Sequence, residues 1–245
     1  MPAAEGGPVA IVTALEEEFD AITGHARDVR FGRDLVADAS IGRTEVVIAR
    51  TGDGAQRAAR GAAALCDARR PSALIGAGVA GALSRDLAIG EILVSRRIRD
   101  ARGEAPASDA RLLARAVASG ATEATLVTAD RPVTSASGRA ELLRSLGQPT
   151  PSAVDMESAG WARAAAARGI PYIVVRAVSD GAEEELPEYL ARCVGEDGSV
   201  RRAAALLHAL ARPATIMTLL RMRSRVVDGT GRVSVFLEKL LDAGA

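Results

Sequence analysis

The chain has 245 residues, of which 48% are hydrophobic and only 2% are aromatic, and this length allows one large α/β domain or two small ones. Its formal net charge is zero, which argues against a general nucleic-acid-binding protein because such proteins need a basic surface. Two cysteines and two histidines, without metal-ligand or redox spacing, argue against a Cys/His metal site, and we expect no metal and no cofactor.

Short β-rich runs alternate with helical patterns along most of the chain. The predicted strands are 8–15, 43–51, 73–79, 91–98, 124–129, a strand that ends at residue 156, and 171–178. The predicted helices are 16–25, 55–70, 108–118, 136–146, 157–168 and 199–211. Strands that alternate with helices indicate a largely parallel sheet covered by helices on both faces.

The C-terminal part of the chain differs in composition from the rest. From Ser199 to Lys239 there are eight Arg or Lys residues and two Asp or Glu residues. We therefore expect one main domain over 1–212 and a basic, apolar extension over 213–245. No apolar run approaches the length needed to span a bilayer, and no signal segment precedes the first strand, so we expect the chain to be cytoplasmic.

The stretch GAGVAG at 76–81 matches the glycine fingerprint of dinucleotide-binding folds and follows a predicted strand. In that fingerprint the glycines bring a pyrophosphate to the N-terminus of the following helix. Here the next predicted strand begins near residue 91, which leaves room for barely one helical turn. We therefore expect a glycine loop that allows close backbone packing, and not a nicotinamide site.

Three acidic residues stand where predicted strands end. Glu18 follows the first strand, Glu157 follows the strand that ends at residue 156, and Asp180 follows the strand 171–178. In an open α/β sheet, ligands bind outside the carboxyl ends of the strands, so three carboxylates from separate strand ends can converge on one cleft. A single acid at a helix start is more often a surface residue that the helix dipole favours. The combination of three indicates a ligand site.

The motifs around these acids resemble those of a known enzyme family. The segments ALEEE (14–18), VDMESA (154–159) and VVRAVSD (174–180), with IGEILVS (89–95) between them, are similar to the purine nucleoside phosphorylase/nucleosidase superfamily. The resemblance is most marked for its methylthioadenosine/S-adenosylhomocysteine nucleosidase branch and covers roughly residues 8–211. It implies a three-layer α/β/α fold around a central mixed, largely parallel sheet, and an enzyme that cleaves the N-glycosidic bond between a purine and ribose.

The resemblance implies roles for two catalytic carboxylates. Asp180 matches the family's general acid, which protonates or hydrogen-bonds N7 of the departing purine, and Ser179 is expected to orient it. Glu18 matches the carboxylate that positions or activates the attacking water.

The same resemblance implies the substrate-binding residues. Glu157 matches the residue that binds the ribose hydroxyls, and Met156 supplies the apolar surface beneath the ribose. Arg176 is expected to anchor the neighbouring acids, and Asp155 to lie behind the residues that touch the ligand. Gly78, in the glycine-rich stretch, is expected to belong to the substrate site.

The chain departs from the nucleosidase pattern at several positions. Val79 stands where the nucleosidases have Ser, within the predicted substrate site. Pro132 replaces a Phe that stacks on the base, while Val133 still offers backbone groups to the purine edge. The Arg-bearing N-terminal loop of the phosphorylase branch is absent, so water is the expected nucleophile. Phosphorolysis stays open through Arg57 or Arg131.

The sequence that follows Asp180 is similar to the hopanoid-associated phosphorylases of this superfamily over AEEELPEYLARCVGEDGSVRRAAALLHALARP (182–213) and the basic segment after it. This similarity implies that the substrate is adenosylhopane, which loses adenine to leave ribosylhopane. The alternatives are a general methylthioadenosine/S-adenosylhomocysteine nucleosidase and a futalosine hydrolase. A non-catalytic nucleoside-binding protein on the same fold is an alternative from another class.

The expected partner is a small or lipid-linked nucleoside, without nucleic acid, and the family implies a homo-oligomer of two or more copies. In the C-terminal extension apolar residues stand beside arginines, a pattern that predicts peripheral contact with the inner face of the membrane. The alternative is that the same residues pack on the core or form an oligomer contact.

Overall fold

The computed structural model describes residues 6–33, 35–147, 151–187 and 213–242. The predicted helix 199–211 lies outside these residues, as does most of the segment 182–213. The described strands are β1 (Val9–Thr13), β2 (Arg27–Phe31), β3 (Val36–Ile41), β4 (Thr44–Arg50), β5 (Ala73–Ala82), β6 (Ile92–Asp100), β7 (Gly103–Glu104), β8 (Thr122–Thr128), β9 (Ser152–Asp155) and β10 (Tyr172–Asp180). The described helices are α1 (Glu16–His25), α2 (Ala55–Arg69), α3 (Ala110–Ala118), α4 (Ala136–Ser145), α5 (Ser158–Ala166) and α6 (Pro213–Asp242).

The strands form one mixed sheet. β5, β10, β6, β8 and β9 pair in that order, and β9 returns to pair with β5, so these strands close a ring. From β5 the sheet continues through β1, β4, β3 and β2. β1 pairs in parallel with both β4 and β5, and β5 pairs in parallel with β10. The carboxyl ends of β1, β5 and β10 therefore lie at the same edge of the sheet.

Helices cover both faces of the sheet, and the alternation of side chains along each strand explains why. Ala10 and Val12 of β1 belong to a core cluster with residues of α2 and α5, whereas Ile11 points the other way, into a cluster with residues of α1, α3 and α6. Val174 of β10 follows the first pattern, and Ile173 follows the second. A strand buried on both faces reads as a continuous apolar run, and the predicted three-layer fold is confirmed.

The hairpin of β2 and β3 is not predicted from the sequence. β2 reads RDVRF, lies at the sheet edge and is mostly exposed. The buried positions of β3 are filled by Ala37, Ala39 and Ile41. Neither segment has the run of β-branched and aromatic residues by which a strand is recognised.

The glycine-rich stretch 76–81 is also different from the prediction, because it is not a loop. It forms the second half of β5, which runs from Ala73 to Ala82 and is buried along almost its whole length. The expectation of a glycine loop was wrong. Glycine has a low strand propensity, and pairing with β10 along this stretch, with β1 at Gly76 and with β9 at Gly81, outweighs it here.

The C-terminal helix α6 packs against the body of the protein. Val233, Phe236, Leu237 and Leu240 are buried in the same cluster as Phe19 of α1. The division of the chain at residue 212 stays a prediction, but the second half of this helix is part of the core. Among the described residues no helix is long and apolar enough to cross a membrane.

Candidate active site

A cavity of about 280 Å³ lies at the shared carboxyl edge of the sheet. Its walls come from the ends of β5, β9 and β10, from the loop after β1, from the loop between β8 and α4, and from α6. Glu18, Glu157 and Asp180 all line it. Three carboxylates that are far apart in sequence therefore converge on one space, as their positions at strand ends predict.

Glu18 reaches the cavity from the first turn of α1, and backbone donors fix its carboxylate. Its Oε2 accepts hydrogen bonds from the backbone N–H groups of Ala14 and Leu15, each at 3.0 Å. Its Oε1 accepts another from the backbone N–H of Val79 at 3.0 Å. Burial raises the pKa of Glu18 above its ordinary value, although Arg176 and these N–H donors oppose the shift. A buried carboxylate with a raised pKa is suited to take a proton.

Asp155 joins β9 to α5 and organises the start of that helix. Its Oδ1 accepts hydrogen bonds from the backbone N–H groups of Glu157 and Ser158, at 3.3 and 3.2 Å, and from the Thr128 hydroxyl at 2.9 Å. Its Oδ2 pairs with the Arg176 guanidinium at 3.1 Å. Its acceptor oxygens are thus largely engaged by protein groups, but Asp155 also lines the cavity, so the expectation that it lies behind the residues that touch the ligand stays a prediction.

Arg176 of β10 is the cation that holds this cluster of acids together. It is only 1% exposed, and its Nη2 donates to Glu157 Oε2 at 3.3 Å, while its Nη1 lies 4.0 Å from Glu18 Oε1. Its guanidinium carbon lies 4.7 Å from the ring centroid of Trp161, within cation–π range. Burial alone would lower the pKa of Arg176, but Asp155, Glu157 and Glu18 raise it overall. One permanent cation therefore faces three acids.

Glu157 combines a backbone hydrogen bond with a pKa close to neutrality. Its Oε1 accepts a hydrogen bond from the backbone N–H of Gly54 at 3.0 Å. Its pKa is raised to about 7, mainly by burial. The charge of Arg176 opposes the rise, and Asp155 and Glu18 add to it. A single guanidinium does not neutralise three carboxylates, and burial together with the neighbouring acids therefore favours the protonated form of Glu157.

The glycines of β5 leave room for these side chains. A Cβ at Gly78 would collide with Glu18 and Arg176, and a Cβ at Gly81 would collide with Asp180. A Cβ at Gly76 would collide with the ring of Trp161, on which Arg176 stacks. The fingerprint-like spacing of these glycines therefore serves close packing of side chains against the strand.

Asp180 ends β10 between a hydroxyl and a guanidinium. The Ser179 hydroxyl donates to its Oδ1 at 2.5 Å. Its Oδ2 lies 2.5 Å from Nη2 of Arg139 as an ion pair, and it is buried without a partner in hydrogen-bond geometry. Arg139 is itself buried and belongs to the first half of α4.

The rest of the cavity wall is mainly apolar. Leu15, Pro132, Met156, Leu186 and Met222 line it. Leu186 follows β10, and its backbone N–H donates to the Thr134 carbonyl at 2.8 Å, while Met222 comes from α6. A pocket with apolar walls and a few converging polar groups is typical of small-molecule sites.

The predicted site residues are mostly brought together. Those that line the cavity are Glu18, Asp180, Glu157, Met156, Ser179, Val133 and Val79. Gly78 and Arg176 do not line the cavity; Gly78 makes space for Glu18 and Arg176, and Arg176 pairs with Asp155 and Glu157. Of the two arginines named for phosphate, Arg131 lines the cavity and Arg57 does not.

Sequence reasoning missed Arg139, Asp53, Leu186 and Met222, which also line the cavity. Met222 belongs to the predicted extension, for which packing on the core is one of the two alternatives, but the sequence does not indicate that this residue reaches the cavity. The sequence gives one weak indication of a role for Arg139. The helix dipole disfavours a cation near the N-terminus of a helix, so an arginine there indicates a partner elsewhere in the fold.

The comparisons with known proteins agree with this geometry. The family model described as "Phosphorylase superfamily" matches residues 8–212. A 5'-methylthioadenosine/S-adenosylhomocysteine nucleosidase from Maridesulfovibrio salexigens is 28% identical over 201 residues, 72% of this chain and 87% of the relative. Its counterpart from Glaesserella parasuis is 25% identical over 202 residues, with the same shares covered.

Solved structures show the same fold. S-adenosylhomocysteine nucleosidase from Streptococcus pyogenes, in complex with 5-methylthiotubericidin, superposes with a TM-score of 0.76 at 21% identity and covers 98% of each chain. Futalosine hydrolase of Helicobacter pylori superposes with a TM-score of 0.73 at 19% identity, covering 97% of this chain and 98% of the other. Since the family model spans most of the chain, including Glu18, Glu157 and Asp180, the chain is an enzyme of the phosphorylase superfamily.

Proposed function

We propose that this chain is a nucleosidase that uses water to release adenine from a 5'-modified adenosine. The observation that carries the proposal is the convergence of Glu18, Glu157 and Asp180 on one cavity of about 280 Å³. The names of the relatives, which are nucleosidases of methylthioadenosine and S-adenosylhomocysteine, support the same chemistry. A protein that only bound nucleosides would need neither a buried acid for the nucleophile nor one for the leaving group.

The reaction divides among the three acids according to their surroundings. Asp180 gives a proton to N7 of the purine as the bond between C1' and N9 breaks, and the bonding electron pair leaves with the base. Positive charge then develops on the ribose, and Glu157, when ionised, accepts hydrogen bonds from the ribose hydroxyls. Glu18 takes the proton of the water that attacks C1'. Met156 packs beneath the sugar.

The charge of the site supports water over phosphate as the nucleophile. A phosphate dianion beside Glu18 would face the carboxylates of Glu157 and Asp155, while Arg176 is already paired with them. The backbone N–H of Val79 already donates a hydrogen bond to Glu18. Of the cationic side chains that line the cavity in the described part of the chain, Arg139 pairs with Asp180, which leaves Arg131 for an anion. Water carries no charge and meets no such repulsion.

For the 5' substituent we favour a bulky apolar group and propose adenosylhopane as the substrate. The apolar side of the cavity, with Leu15, Leu186 and Met222, suits such a group. A cavity of about 280 Å³ lies near the lower end of the range for ligand pockets, so it has room for the nucleoside but not for a polycyclic lipid as well. The lipid would extend out of the mouth, past Met222, along the surface of α6.

The surface beside this mouth supports contact with a membrane. Leu220 is 53% exposed, and Arg221 and Arg223 are exposed on either side of Met222. Basic and apolar groups side by side bind anionic bilayers, and each cation near the surface contributes about 1 kcal/mol. We propose that this turn of α6 rests on the membrane and brings the cavity mouth to the lipid substrate.

A vesicle-binding comparison tests this contact without disturbing the core. R221E/R223E should lose co-sedimentation with anionic vesicles at low salt. R232E/K239E makes the same charge change on exposed positions of α6, about 14 to 27 Å further along the helix, and should keep most of the binding. Truncation at residue 212 is unsuitable, because it would remove Phe236 and Leu237 from the core. Equal binding by both variants, or none by the wild type, would contradict the membrane proposal.

Methylthioadenosine and S-adenosylhomocysteine are the second candidate substrates, and the names of the relatives favour them. Futalosine is a third, on the strength of the matching fold of a futalosine hydrolase. A panel of these nucleosides and an adenosyl lipid, with adenine release as the readout, ranks them. Much faster cleavage of methylthioadenosine than of the adenosyl lipid would contradict the adenosylhopane proposal and leave the nucleosidase proposal intact.

A further inference from the structure

Arg139 is a buried cation that connects two parts of the cavity wall. It is 1% exposed and lies in α4, outside the cluster around Arg176. Its Nε donates to the Val133 carbonyl at 3.2 Å, and its Nη1 donates to the Gly181 carbonyl at 2.5 Å. Its Nη2 forms the ion pair with Asp180 Oδ2. One rigid guanidinium therefore ties the loop before α4 to the end of β10.

Burying this arginine is costly, and the surroundings show what compensates for it. A buried charge destabilises a protein unless it is paired and hydrogen-bonded. The position in the first half of α4 adds no compensation, since the helix dipole there favours negative charge. The compensation comes from Asp180 and from the two carbonyls of Val133 and Gly181. The arginine is thus stable only when Asp180 and the Val133 backbone are in their present places.

The two oxygens of Asp180 differ in what they can do. Oδ2 is enclosed between Arg139 and Gly81, where a Cβ would collide with it. Oδ1 is in contact with the Ser179 hydroxyl at 2.5 Å, and that hydroxyl has a second acceptor, the Ala80 carbonyl, at 3.2 Å. Ser179 can therefore donate to an ionised Oδ1, or donate to Ala80 and accept from a protonated Oδ1. Oδ1 is the oxygen at which a proton can be exchanged.

We propose that Arg139 is a positioning residue for the leaving purine: it anchors Oδ2 of Asp180 and fixes the Val133 backbone, so that Oδ1 faces the purine. The proposal rests on the proposed function and deepens it. The proton on Oδ1 comes from solvent and passes to N7 as the bond between C1' and N9 breaks. The attacking water gives its proton to Glu18, so one water is consumed and the charge balances.

The test uses leaving groups that need or do not need a proton. Adenine leaves poorly unless it is protonated, whereas para-nitrophenolate leaves without a proton. R139Q should lower kcat for the adenine nucleoside roughly 10²-fold, the usual effect of misplacing a catalytic group, and should change cleavage of a para-nitrophenyl riboside only slightly. R139K keeps the charge beside Asp180 and should recover part of the loss. R163Q is the matched control, because Arg163 donates to Asp100 at 2.5 and 2.9 Å and does not line the cavity.

A double-mutant cycle separates positioning from general destabilisation. At saturating adenine nucleoside, kcat of D180N/R139Q should be no lower than kcat of D180N, because Arg139 affects the bond-breaking step through Asp180. Additive losses, or equal losses on both leaving groups, would overturn the proposal. If R139Q does not fold, R139K is used, and it must show a loss confined to the adenine nucleoside.

A binding measurement keeps this test distinct from the proposed function. Adenine affinity is measured by calorimetry and needs no turnover. R139Q should weaken adenine binding roughly tenfold, as expected for lost polar contacts through the Val133 loop, while R163Q should not. Unchanged affinity in R139Q would count against the positioning role. Absence of purine release by the wild type would instead contradict the proposed function, and the affinity comparison would still decide the role of Arg139.

Discussion

Arg176 shows how much of the site depends on one residue. Its guanidinium contacts Asp155 and Glu157 directly and lies 4.0 Å from Glu18, and each of these acids is buried. Removing this cation would leave uncompensated carboxylates in the interior, which is among the most destabilising changes a protein can undergo. The fold therefore keeps an excess of buried carboxylates around one cation, and this excess helps to raise the pKa of Glu157.

Asp180→Asn tests the leaving-group acid. The amide cannot give a proton to N7, so turnover should fall roughly 10²–10⁴-fold, the usual contribution of a positioned proton donor. Adenine binding should change far less, because an amide still forms hydrogen bonds. Steady-state kinetics and calorimetry of the same preparation check both effects, and near-normal turnover would remove Asp180 from the mechanism.

Glu18→Gln and Glu157→Gln should separate handling of water from handling of the sugar. Glu18→Gln should lower kcat and leave nucleoside binding nearly intact, since its partner is the nucleophile. Glu157→Gln should also weaken binding, and it should discriminate less against deoxyribose substrates. Identical kinetic defects in the two variants would argue against separate roles.

The pH dependence of stability should report on Glu157. The folded protein raises its pKa from 4.5 to about 7, so the folded state holds a proton that the unfolded chain has released. The contribution of this group to stability is then present in full below the unfolded pKa and is lost as the pH rises through the folded one. Between about pH 5 and about pH 8 the wild type should lose stability relative to Glu157→Gln, measured by thermal unfolding. Parallel curves would show that Glu157 is ionised throughout.

The sequence was sufficient to find the acids and Arg176, but not Arg139, which pairs with Asp180. Glu18, Glu157 and Asp180 follow recognisable strands, and parallel strand ends meet at one edge. Arg139 and Met222 reach the cavity from helices whose packing depends on the whole fold. No local pattern indicates which arginine of α4 is buried or which face of α6 packs on the core.

At the scale of the element, β5 illustrates a conflict between local propensity and tertiary structure. Its glycines disfavour a strand, yet each of Gly76, Gly78 and Gly81 admits a side chain that the site needs. The sequence therefore predicts the purpose of the glycines, close packing, but assigns the wrong local structure. The hairpin of β2 and β3 is not predicted from the sequence for a related reason, since β2 is exposed and the buried positions of β3 hold mostly small residues.

Gly78→Ala tests this role of β5. Its Cβ would collide with Glu18 and Arg176, and overpacking of this kind costs about 1–3 kcal/mol. Turnover should fall by more than the loss of folded protein explains, because Glu18 must move. Gly24→Ala is the matched control in α1, where a Cβ meets nothing within 4 Å and should stabilise the helix by up to about 1 kcal/mol. Denaturant unfolding and turnover of both variants give the comparison.

Leu237→Ala tests whether α6 belongs to the core. Leu237 is fully buried, and a truncation of this kind costs about 2–5 kcal/mol. Val235 is 48% exposed on the same helix, so Val235→Ala should cost much less. Similar free energies of unfolding for the two variants would contradict the packing of α6.

For the whole molecule, the zero net charge conceals an uneven distribution. The cavity gathers carboxylates around Arg176, while exposed Arg221 and Arg223 stand on either side of Met222, which lines the cavity. The acidic interior disfavours an anionic nucleophile, and these arginines support the proposed contact with an anionic membrane surface. The expected homo-oligomer stays a prediction, which light scattering of the purified chain would test.

The most direct test of the account is to incubate the wild-type chain with 5'-modified adenosines, with and without phosphate, in isotopically labelled water. The account predicts that adenine is released at the same rate in both conditions and that the label appears in the hydroxyl at C1' of the sugar product. Formation of a sugar 1-phosphate, or no adenine release from any of these nucleosides, would contradict it.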